Sequence, residues 1–467
     1  MKIIIFGLGK IYRDNAHLLP SQDEIVAYMD NNKELYGQCI DGVKVVSPMD
    51  IAVYEYDKVV IMSSYANEIR QQLLQLGVSE GRIVYGLQYI YERKIYDMPQ
   101  AIVPEKRKKI LIATSNLGSV SYLGYHGGAM VCIFLANALL EEGYSVTIAA
   151  PIGDAAFIKE YSQKGIQLEV LEGLPYAKFE NIGWILKFDI VIANTYPMIL
   201  LALEISERVR TVLWLHESKN VYSEMSFWRS DIEQKLLKTK LKIYAVSEMA
   251  RDNFCGEVGY RKEQVTIFEY GIPSVLDGQA DRNGTVTFAV VGTIYPLKQQ
   301  KLFTDAVELL NKRQQNDNRF WIIGKIADQE YAKKILKQIE NKPYIQYLGE
   351  KSQKELSALY DNIDVIVVCS KQESLPIVVV EAFMRGKTCI VCDNTGISKY
   401  ITDKVNGYLY KTNDIGELAA AMQYFLDNKN VIAEMGKNAR EVYEEHFSLE
   451  KFKMRLRKEI DWLEDNL

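Results

Sequence analysis

The sequence predicts an α/β protein built from parallel sheets in three successive domains, and two observations carry that prediction. Short β-branched runs alternate with helical stretches along most of the chain, which is the pattern of parallel strands joined by helices. The chain has 467 residues, a length that corresponds to roughly three domains of ordinary size. With 48% hydrophobic and 25% charged residues, the composition is that of a folded globular protein.

Residues 1–98 form the first predicted domain, a small Rossmann-like unit. Its expected strands are Lys2–Phe6, Glu24–Met29 and Lys58–Met62. Gly7 and Gly9 follow the first strand and Asp30 ends the second, as in a dinucleotide-binding fingerprint, although Tyr12 occupies the third glycine position. A nucleotide site at Gly7, Gly9 and Asp30 and a purely structural or assembly role therefore both stay open.

The remainder of the chain predicts two further domains that face each other across a cleft. Residues 99–108 contain two prolines and a basic run, and we interpret them as a linker, solvated rather than in contact with a membrane. Residues 109–280 and 281–435 each contain a strand-helix series, joined by a polar hinge at 276–284. Residues 436–467 are helical in pattern, and we expect them to pack back across the domain boundary.

The charge and hydropathy of the chain bear on its partners and its location in the cell. The formal net charge of −5 gives no overall field that would attract nucleic acid, so any anion site must be local. The apolar start before Gly7 is too short for a secretory leader, and the apolar runs Met130–Leu140 and Leu375–Val380 are too short to span a bilayer. We expect a cytoplasmic protein, and a peripheral contact with the membrane face stays open. The C-x-x-C pair Cys389 and Cys392 lies in a strand-like run, which favours buried thiols over metal or redox chemistry.

Two segments of the third domain carry residues suited to an anionic ligand. Lys298 lies just past a strand-to-loop turn, where the carboxyl ends of parallel strands receive ligands. Glu373 and Glu381 lie eight residues apart around a helix start that Ser374 could cap, with Pro376 in the first turn. The valines between them favour a strand, so propensity alone contradicts the helix.

These residues resemble the retaining GT-B glycosyltransferases that carry an E-x7-E motif. Glu373 to Glu381 matches the motif, and the flanking runs 363–370 and 382–391 match its context. The resemblance covers about residues 109–450 and implies two facing Rossmann-like domains with the active site between them. It implies a nucleotide-sugar donor, a glycan or lipid-linked acceptor and a place in surface glycan assembly.

The resemblance also implies a role for each matching residue. Glu373 would contact the transferred sugar, Lys298 would neutralise the departing diphosphate, and His216 matches the family histidine near the sugar. Glu381 would hold the donor ribose hydroxyls. The other expected donor-binding residues are Gly127, Gly128, Thr293, Leu375, Pro376, Thr395 and Gly396. Family chemistry implies no cofactor and no metal.

Three departures from the family pattern leave an alternative open. Thr293 stands where many members carry an arginine, Pro376 replaces a common glycine, and Lys399 stands where a glutamate often follows the Gly396 turn. Lys399 could restore part of the lost positive charge. The alternative function is a non-catalytic sugar-nucleotide-binding partner of another transferase, and an oxidoreductase built on the first domain ranks last.

Two further features concern the acceptor and the first domain. The segment Phe227-Trp228-Arg229 and the basic run Lys235–Lys242 lie in the domain where this family meets its acceptor, and they form either an ordinary solvated helix or a surface against anionic lipid. Residues 1–98 resemble the small domain found ahead of sugar acyltransferases and some surface-polysaccharide enzymes.

Overall fold

The computed structural model describes residues 1–467 except 17–18, 21, 64, 90–92, 97–107, 118–126, 154, 226–227, 240, 276–283, 311–314, 316 and 467. Nearly all of the predicted linker at 99–108 and of the predicted hinge at 276–284 lies outside the described residues. The chain forms two compact units: Met1–Val120 with Tyr144–Leu213 and Glu224–Leu241, and Ser121–Gly143 with Trp214–Ser223 and Lys242–Leu467.

The strands follow one another in short runs along the whole chain. In chain order they are β1 Lys2–Phe6, β2 Glu24–Met29, β3 Cys39–Ile40, β4 Val43–Val46, β5 Lys58–Ile61, β6 Ile83–Tyr85, β7 Arg93–Tyr96, β8 Lys109–Thr114, β9 Ser145–Ala150, β10 Gln167–Leu171, β11 Ile190–Asn194, β12 Arg210–Leu215, β13 Lys242–Ala245, β14 Val265–Ile267, β15 Thr287–Val291, β16 Arg319–Ile323, β17 Ile345–Tyr347, β18 Val365–Val368, β19 Thr388–Cys392 and β20 Tyr408–Tyr410.

Helices alternate with these strands and close the chain. In the same order they are α1 Lys10–Asn15, α2 Ala66–Gln75, α3 Gly127–Glu141, α4 Ala155–Ser162, α5 Ile199–Ile205, α6 Val221–Glu224, α7 Arg229–Leu236, α8 Glu248–Val258, α9 Gln300–Leu309, α10 Gln329–Ile339, α11 Gln353–Tyr360, α12 Ile377–Met384, α13 Ile415–Asp427, α14 Val431–Val442 and α15 Leu449–Asn466. This alternation confirms the predicted α/β class.

The first unit contains a six-stranded sheet in the order β3-β4-β2-β1-β5-β6. All of its pairings are parallel except the short β3–β4 pair. Alternate residues of β1 enter different cores: Ile4 and Phe6 pack in one cluster, Ile3 and Ile5 in the other. Because side chains of a strand point to opposite faces in turn, the sheet is buried on both sides, as parallel sheets require.

A second parallel sheet in the same unit runs in the order β11-β8-β9-β10, and β7 pairs antiparallel with β10 at its edge. β7 follows the strands of the small N-terminal sheet in the chain but pairs with β10 of the second sheet. Arg93 of β7 lies 3.5 Å from the buried carboxylate of Glu169, and Lys187 lies 3.4 Å from its other oxygen. Three aromatic rings, those of Tyr85, Tyr176 and Trp228, also pack together with centroids 5.2 to 5.9 Å apart.

The second unit contains a six-stranded parallel sheet in the order β17-β16-β15-β18-β19-β20. Its strands are mostly apolar, as expected for a parallel sheet that helices cover, and the core contains Phe288, Phe303, Phe320 and Phe425, all fully buried. The closeness of β15 and β18, which are parallel neighbours, places the ends of both strands at one edge of the sheet.

The C-terminal helices pack on other parts of the same unit. The ring of Phe452 in α15 stacks on Trp214 at a centroid distance of 6.0 Å. Lys453 forms an ion pair with Glu141 of α3, and Ile272 donates its backbone N–H to the Phe447 carbonyl at 2.9 Å.

Candidate functional site

Lys298 and Glu373 meet at the carboxyl edge of the sheet in the second unit. Lys298 closes a short 3-10 turn that follows β15, and Glu373 lies in the loop that follows β18. The Lys298 ammonium forms an ion pair with Glu373 Oε1, and the Ser370 hydroxyl donates to Oε2 at 2.7 Å. Both carboxylate oxygens of Glu373 therefore have a hydrogen-bond donor.

This ion pair is partly shielded from solvent. The side chain of Lys298 is 26% exposed and that of Glu373 is 18% exposed, so water and salt screen their attraction less than at an open surface. An anionic ligand that approaches Lys298 would compete with Glu373 for the ammonium. The arrangement thus holds a cation in place at the sheet edge, where Glu373 neutralises it.

The helix that carries Glu381 begins differently from the prediction. Pro376 is the N-cap of α12, in an extended conformation, and no side chain caps the helix. The expectation that Ser374 caps it is wrong, because the Ser374 hydroxyl instead donates to the Glu217 carbonyl at 2.5 Å. The valines 378–380 are helical despite their strand propensity, since two of them are fully buried in the unit.

Glu381 is held from the preceding helix. The Tyr360 hydroxyl, at the end of α11, donates to Glu381 Oε2 at 3.0 Å. The Arg385 guanidinium lies over the Tyr360 ring at 4.7 Å and donates to Ser357 Oγ at 3.1 Å. Burial raises the pKa of the Glu381 carboxyl, and the Tyr360 hydroxyl and the Arg385 charge each oppose that rise.

The Thr395–Gly396 turn lies directly against the Glu373 backbone. Gly396 N donates to the Glu373 carbonyl at 2.8 Å, and Glu373 and Thr395 form a parallel bridge. A Cβ at position 396 would lie 1.6 Å from the Ser374 carbonyl oxygen and 2.5 Å from Ser247 Oγ. Only glycine allows this close approach, which fixes the loop that carries Glu373.

His216 follows β12, and its ring packs on Trp214 at a centroid distance of 4.7 Å. Its backbone N–H donates to Glu217 Oε2 at 2.8 Å. Burial lowers the pKa of His216 to about 3, so the imidazole is neutral at physiological pH. Within the part of the chain that the structure describes, its Nε2 has no hydrogen-bond partner. A neutral, buried ring nitrogen is suited to hydrogen bonding with a hydroxyl group.

Further hydrogen bonds connect this loop to its surroundings. Gln372 accepts from the Lys219 backbone N–H at 2.9 Å and donates to Asn253 Oδ1 at 3.1 Å. The Tyr270 hydroxyl donates to the Leu375 carbonyl at 3.1 Å. Burial raises the pKa of this hydroxyl, and the negative charges of Glu381 and Glu373 raise it further. Leu375 itself is buried.

The remaining predicted donor-binding residues are Gly127, Gly128 and Thr293. Gly127 and Gly128 are the first two residues of α3, and the residues just before them, 118–126, lie outside the described residues. The Thr293 carbonyl accepts from Gln300 Nε2 at 2.8 Å. Their roles toward a donor stay predictions.

Lys399 points toward two carboxylates. Its ammonium lies 3.9 Å from Glu248 Oε1 and 3.9 Å from Glu269 Oε1. The predicted positive charge is therefore present next to the Gly396 turn, and it is already engaged with acidic partners.

In the N-terminal sheet, the three fingerprint residues lie together. Gly7 has a φ of +100°, and Gly9 is the N-cap of the short helix α1. Asp30 accepts from the Leu8 backbone N–H and from the Asn32 backbone N–H, both at 2.8 Å. Both of its oxygens stabilise local turns, which fits a structural role without testing a nucleotide role.

Sequence reasoning did not find Tyr360, Ser370 or Gln372. Ser370 ends the run 363–370 that flanks the motif and follows β18 in the structure, so its position next to the motif was a usable signal. Tyr360 lies at the end of a helix of ordinary pattern, and nothing in the sequence indicates that it contacts Glu381.

The described residues contain no group of three or more His, Cys, Asp or Glu side chains arranged to hold a metal ion. None of their helices combines the length and the apolar character that crossing a bilayer would require. The basic run 235–242 is divided between the end of α7 and the start of β13 rather than forming one helix.

Family models match three consecutive parts of the chain. Residues 1–84 match the model described as C2185-like, N-terminal. Residues 125–274 match Glycosyltransferase Family 4, and residues 277–442 match Glycosyl transferases group 1. The predicted likeness of the first domain to that of sugar acyltransferases stays a prediction.

Known proteins with similar sequences include transferases of sugars. An uncharacterized glycosyltransferase of Haemophilus influenzae is 22% identical over 364 residues, which are 74% of this chain and 97% of that one. The UDP-Gal:alpha-D-GlcNAc-diphosphoundecaprenol alpha-1,3-galactosyltransferase of Escherichia coli is 26% identical over 163 residues, which are 34% of this chain and 41% of that one.

Among solved structures, Anabaena Alr3699/HepE in complex with UDP-glucose aligns with a TM-score of 0.62 at 17% identity, over 76% of this chain and 99% of that chain. At this identity the likeness concerns the fold. The GT-B fold predicted from the E-x7-E motif is thereby confirmed.

Proposed function

Because the chain carries domains of glycosyltransferase family 4 and of glycosyl transferases group 1 on a GT-B fold, we propose that it is a retaining glycosyltransferase that uses a nucleotide-sugar donor. The observation that carries the proposal is the half-buried ion pair of Lys298 and Glu373. Glu381, the second glutamate of the motif, lies in α12, the helix that follows Glu373. A transferase must present positive charge where the nucleoside diphosphate departs.

In this proposal Lys298 exchanges Glu373 for the diphosphate when the donor binds. The bond between the anomeric carbon and the phosphate oxygen breaks, and the ammonium stabilises the negative charge that grows on the leaving group. Glu373, released from its ion pair, accepts hydrogen bonds from hydroxyl groups of the transferred sugar. The acceptor oxygen attacks from the same face, and its proton passes to the leaving phosphate oxygen.

Glu381 and His216 hold the two ends of the donor. Glu381 accepts from the ribose hydroxyls, while Tyr360 fixes its Oε2 and leaves Oε1 to face the ligand. His216 stays neutral, because burial lowers its pKa to about 3. It therefore acts as a hydrogen-bonding group toward a sugar hydroxyl and not as a cation or a general acid.

We further propose that the acceptor is a glycan or a lipid-linked sugar in surface polysaccharide or glycoconjugate assembly, at the cytoplasmic side of the membrane. The Escherichia coli relative acts on a diphosphoundecaprenol-linked sugar, which supports an acceptor of this class. A peripheral membrane contact belongs to the same proposal. It predicts binding to vesicles of anionic lipid at low salt, which vesicles of neutral lipid should not reproduce.

The experiment is release of nucleoside diphosphate from a panel of UDP-, GDP-, ADP- and dTDP-sugars. Release from one donor class supports the proposal and identifies the nucleotide. Retention is tested separately by the anomeric configuration of the product, measured by NMR. Metal independence predicts that chelation leaves the rate unchanged; a rate abolished by chelation and restored by Mg²⁺ or Mn²⁺ would contradict it.

Two observations favour a second function, that of a non-catalytic partner which binds a sugar nucleotide. Thr293 stands where the family commonly supplies an arginine, and Lys399 is engaged by Glu248 and Glu269 rather than pointing alone at a ligand. This function predicts binding of a nucleotide without release from any donor of the panel.

A further inference from the structure

The small N-terminal sheet and the second sheet of the first unit meet through one stretch of chain. β6, which ends at Tyr85, is an edge strand of the small sheet, and β7, which begins at Arg93, is the outermost strand of the second sheet. Residues 86–92 connect them. The segment that leaves the first domain therefore becomes a strand of the next sheet, and both strands belong to one compact unit.

β7 covers the edge of β10. The sheet order is β9-β10-β7, so without β7 the outer backbone N–H and C=O groups of β10 would have no strand partner. The pairing runs from Leu168 opposite Tyr96 to Leu171 opposite Arg93. Because cross-strand side-chain contacts supply much of the stability of a sheet, so short a ladder depends on the side chains around it.

A buried carboxylate ties β7 to the second sheet. The side chain of Glu169 in β10 is 0% exposed. Its Oε2 lies 3.5 Å from Arg93 of β7, and its Oε1 lies 3.4 Å from Lys187. The Arg93 guanidinium also lies over the Trp184 ring, 4.4 Å from its centroid. A buried charge without a partner is strongly destabilising, so Arg93 is one of the two cations that allow Glu169 to be buried.

An aromatic cluster forms a second contact, which does not involve β7. Tyr85, the last residue of β6, packs edge to face against Tyr176 at 5.2 Å and against Trp228 at 5.9 Å. The Tyr176 and Trp228 rings are 5.9 Å apart. Edge-to-face pairs of this kind add stability beyond the area they bury. Since Trp228 is the N-cap residue of α7, this cluster connects the first domain to the start of that helix.

From these two contacts we propose that the first domain is a clamp on the second sheet, and that the partner of its docking surface is this same chain. β7 completes the sheet and supplies Arg93 to Glu169, while Tyr85 packs against Tyr176 and Trp228. The clamp holds the two sheets together even when the chain between them is cut. This inference gives the first domain a role in assembly and does not depend on sugar transfer.

Cleavage of the folded full chain tests the clamp. A protease site is placed within residues 99–103, so that β7 stays on the N-terminal fragment, and the cut protein is analysed by gel filtration at micromolar concentration. We expect the two wild-type fragments to co-elute. They should separate in the double variant Arg93→Leu with Trp228→Ala, which removes one group from each contact. Wild-type fragments that separate, or fragments that co-elute equally in the double variant, would overturn the clamp.

Thermal unfolding of the uncut chain tests the ion pair without cleavage. Arg93→Leu leaves Glu169 Oε2 without its cation and should lower the unfolding midpoint by roughly 5–10 °C. Combination with Glu169→Leu should restore most of that loss, because an apolar pair replaces both charges.

Arg70→Leu is the matched control, since the partly exposed ion pair of Arg70 with Glu80 lies within the first domain. It should shift the midpoint by no more than about 3 °C and leave the cut fragments together. Equal shifts for Arg93→Leu and Arg70→Leu, or no recovery in the Arg93→Leu and Glu169→Leu double variant, would contradict the role of Arg93 in the clamp.

Discussion

Replacement of Gly396 by alanine tests the close approach of two loops at the candidate donor site. The added Cβ would lie 1.6 Å from the Ser374 carbonyl oxygen, whereas real Cβ atoms essentially never come within 3.0 Å of such an atom. The turn or the Ser374 backbone must therefore move by about 1.4 Å, the difference between these two distances. That movement breaks the 2.8 Å hydrogen bond from Gly396 N to the Glu373 carbonyl and displaces Glu373 itself.

The expected cost follows from these two effects. Loss of the hydrogen bond costs about 1 kcal/mol, and accommodation of the extra methyl group about 1–3 kcal/mol. A total of about 2–4 kcal/mol corresponds to a fall of roughly 5–10 °C in the unfolding midpoint of a unit of this size. A displacement of Glu373 by about 1 Å would lower the rate of sugar transfer roughly 100-fold.

The assay is thermal unfolding followed by circular dichroism, together with nucleoside diphosphate release. Gly256→Ala is the matched control, because Gly256 lies within α8 and its Cβ would meet nothing within 4 Å. It should raise stability by about 0.5–1 kcal/mol through helix propensity and leave the rate unchanged. A Gly396→Ala protein as stable and as active as the wild type would refute the reasoning about this turn.

Tyr360→Phe removes the donor to Glu381 Oε2 and raises the pKa of that carboxyl further, so nucleoside diphosphate binding should weaken roughly tenfold, more at pH 5.5 than at pH 8.5. For 2′-deoxynucleoside diphosphates, calorimetry should show nearly the same affinity for Tyr360→Phe as for the wild type. Equal weakening of ribonucleotide and 2′-deoxyribonucleotide binding would contradict the assignment of Glu381 to the ribose. Burial lowers the pKa of His216 from its ordinary value of 6.5 to about 3 in the folded protein. Below pH 6.5 the unfolded chain therefore binds more protons at this residue than the folded chain does. The stability that neutral His216 contributes is present above that pH and is lost as the pH falls. Between pH 7.5 and pH 5, His216→Gln should therefore lose about 2 kcal/mol less stability than the wild type, and identical pH profiles would contradict the burial of the ring.

Much of the fold is predictable because strand periodicity is local. The strands Lys2–Phe6 and Glu24–Met29 are predicted at their observed bounds, since each is a short β-branched run followed by a turn or a charged residue. The antiparallel strand β7 is not predictable in this way. Its partner β10 lies more than 70 residues further along the chain, and only the folded sheet brings them together.

The E-x7-E segment shows where local preference yields to context. Its valines favour a strand, yet α12 forms because both sides of the helix pack inside the unit. The predicted Ser374 cap fails for a related reason: the hydroxyl finds the Glu217 carbonyl, a partner far away in sequence, and Pro376 takes the N-cap position.

Some features of the candidate site are likewise predictable from the sequence, and others depend on tertiary packing. Lys298 and Glu373 are predictable because both follow strands that end at one sheet edge. The hydrogen bond of Tyr360 to Glu381 arises from tertiary packing, which periodicity and composition do not encode.

The most direct test of the account is donor turnover by Lys298→Ala and Glu381→Ala beside Lys301→Ala. Lys301 is the matched control, since it lies three residues from Lys298 and pairs with Asp305 on its own helix. With the donor that the wild type cleaves, we predict that Lys298→Ala lowers nucleoside diphosphate release by about 100-fold or more, that Glu381→Ala weakens donor binding, and that Lys301→Ala changes neither. Equal rates for all four proteins at matched folding would contradict the placement of the donor phosphates at Lys298.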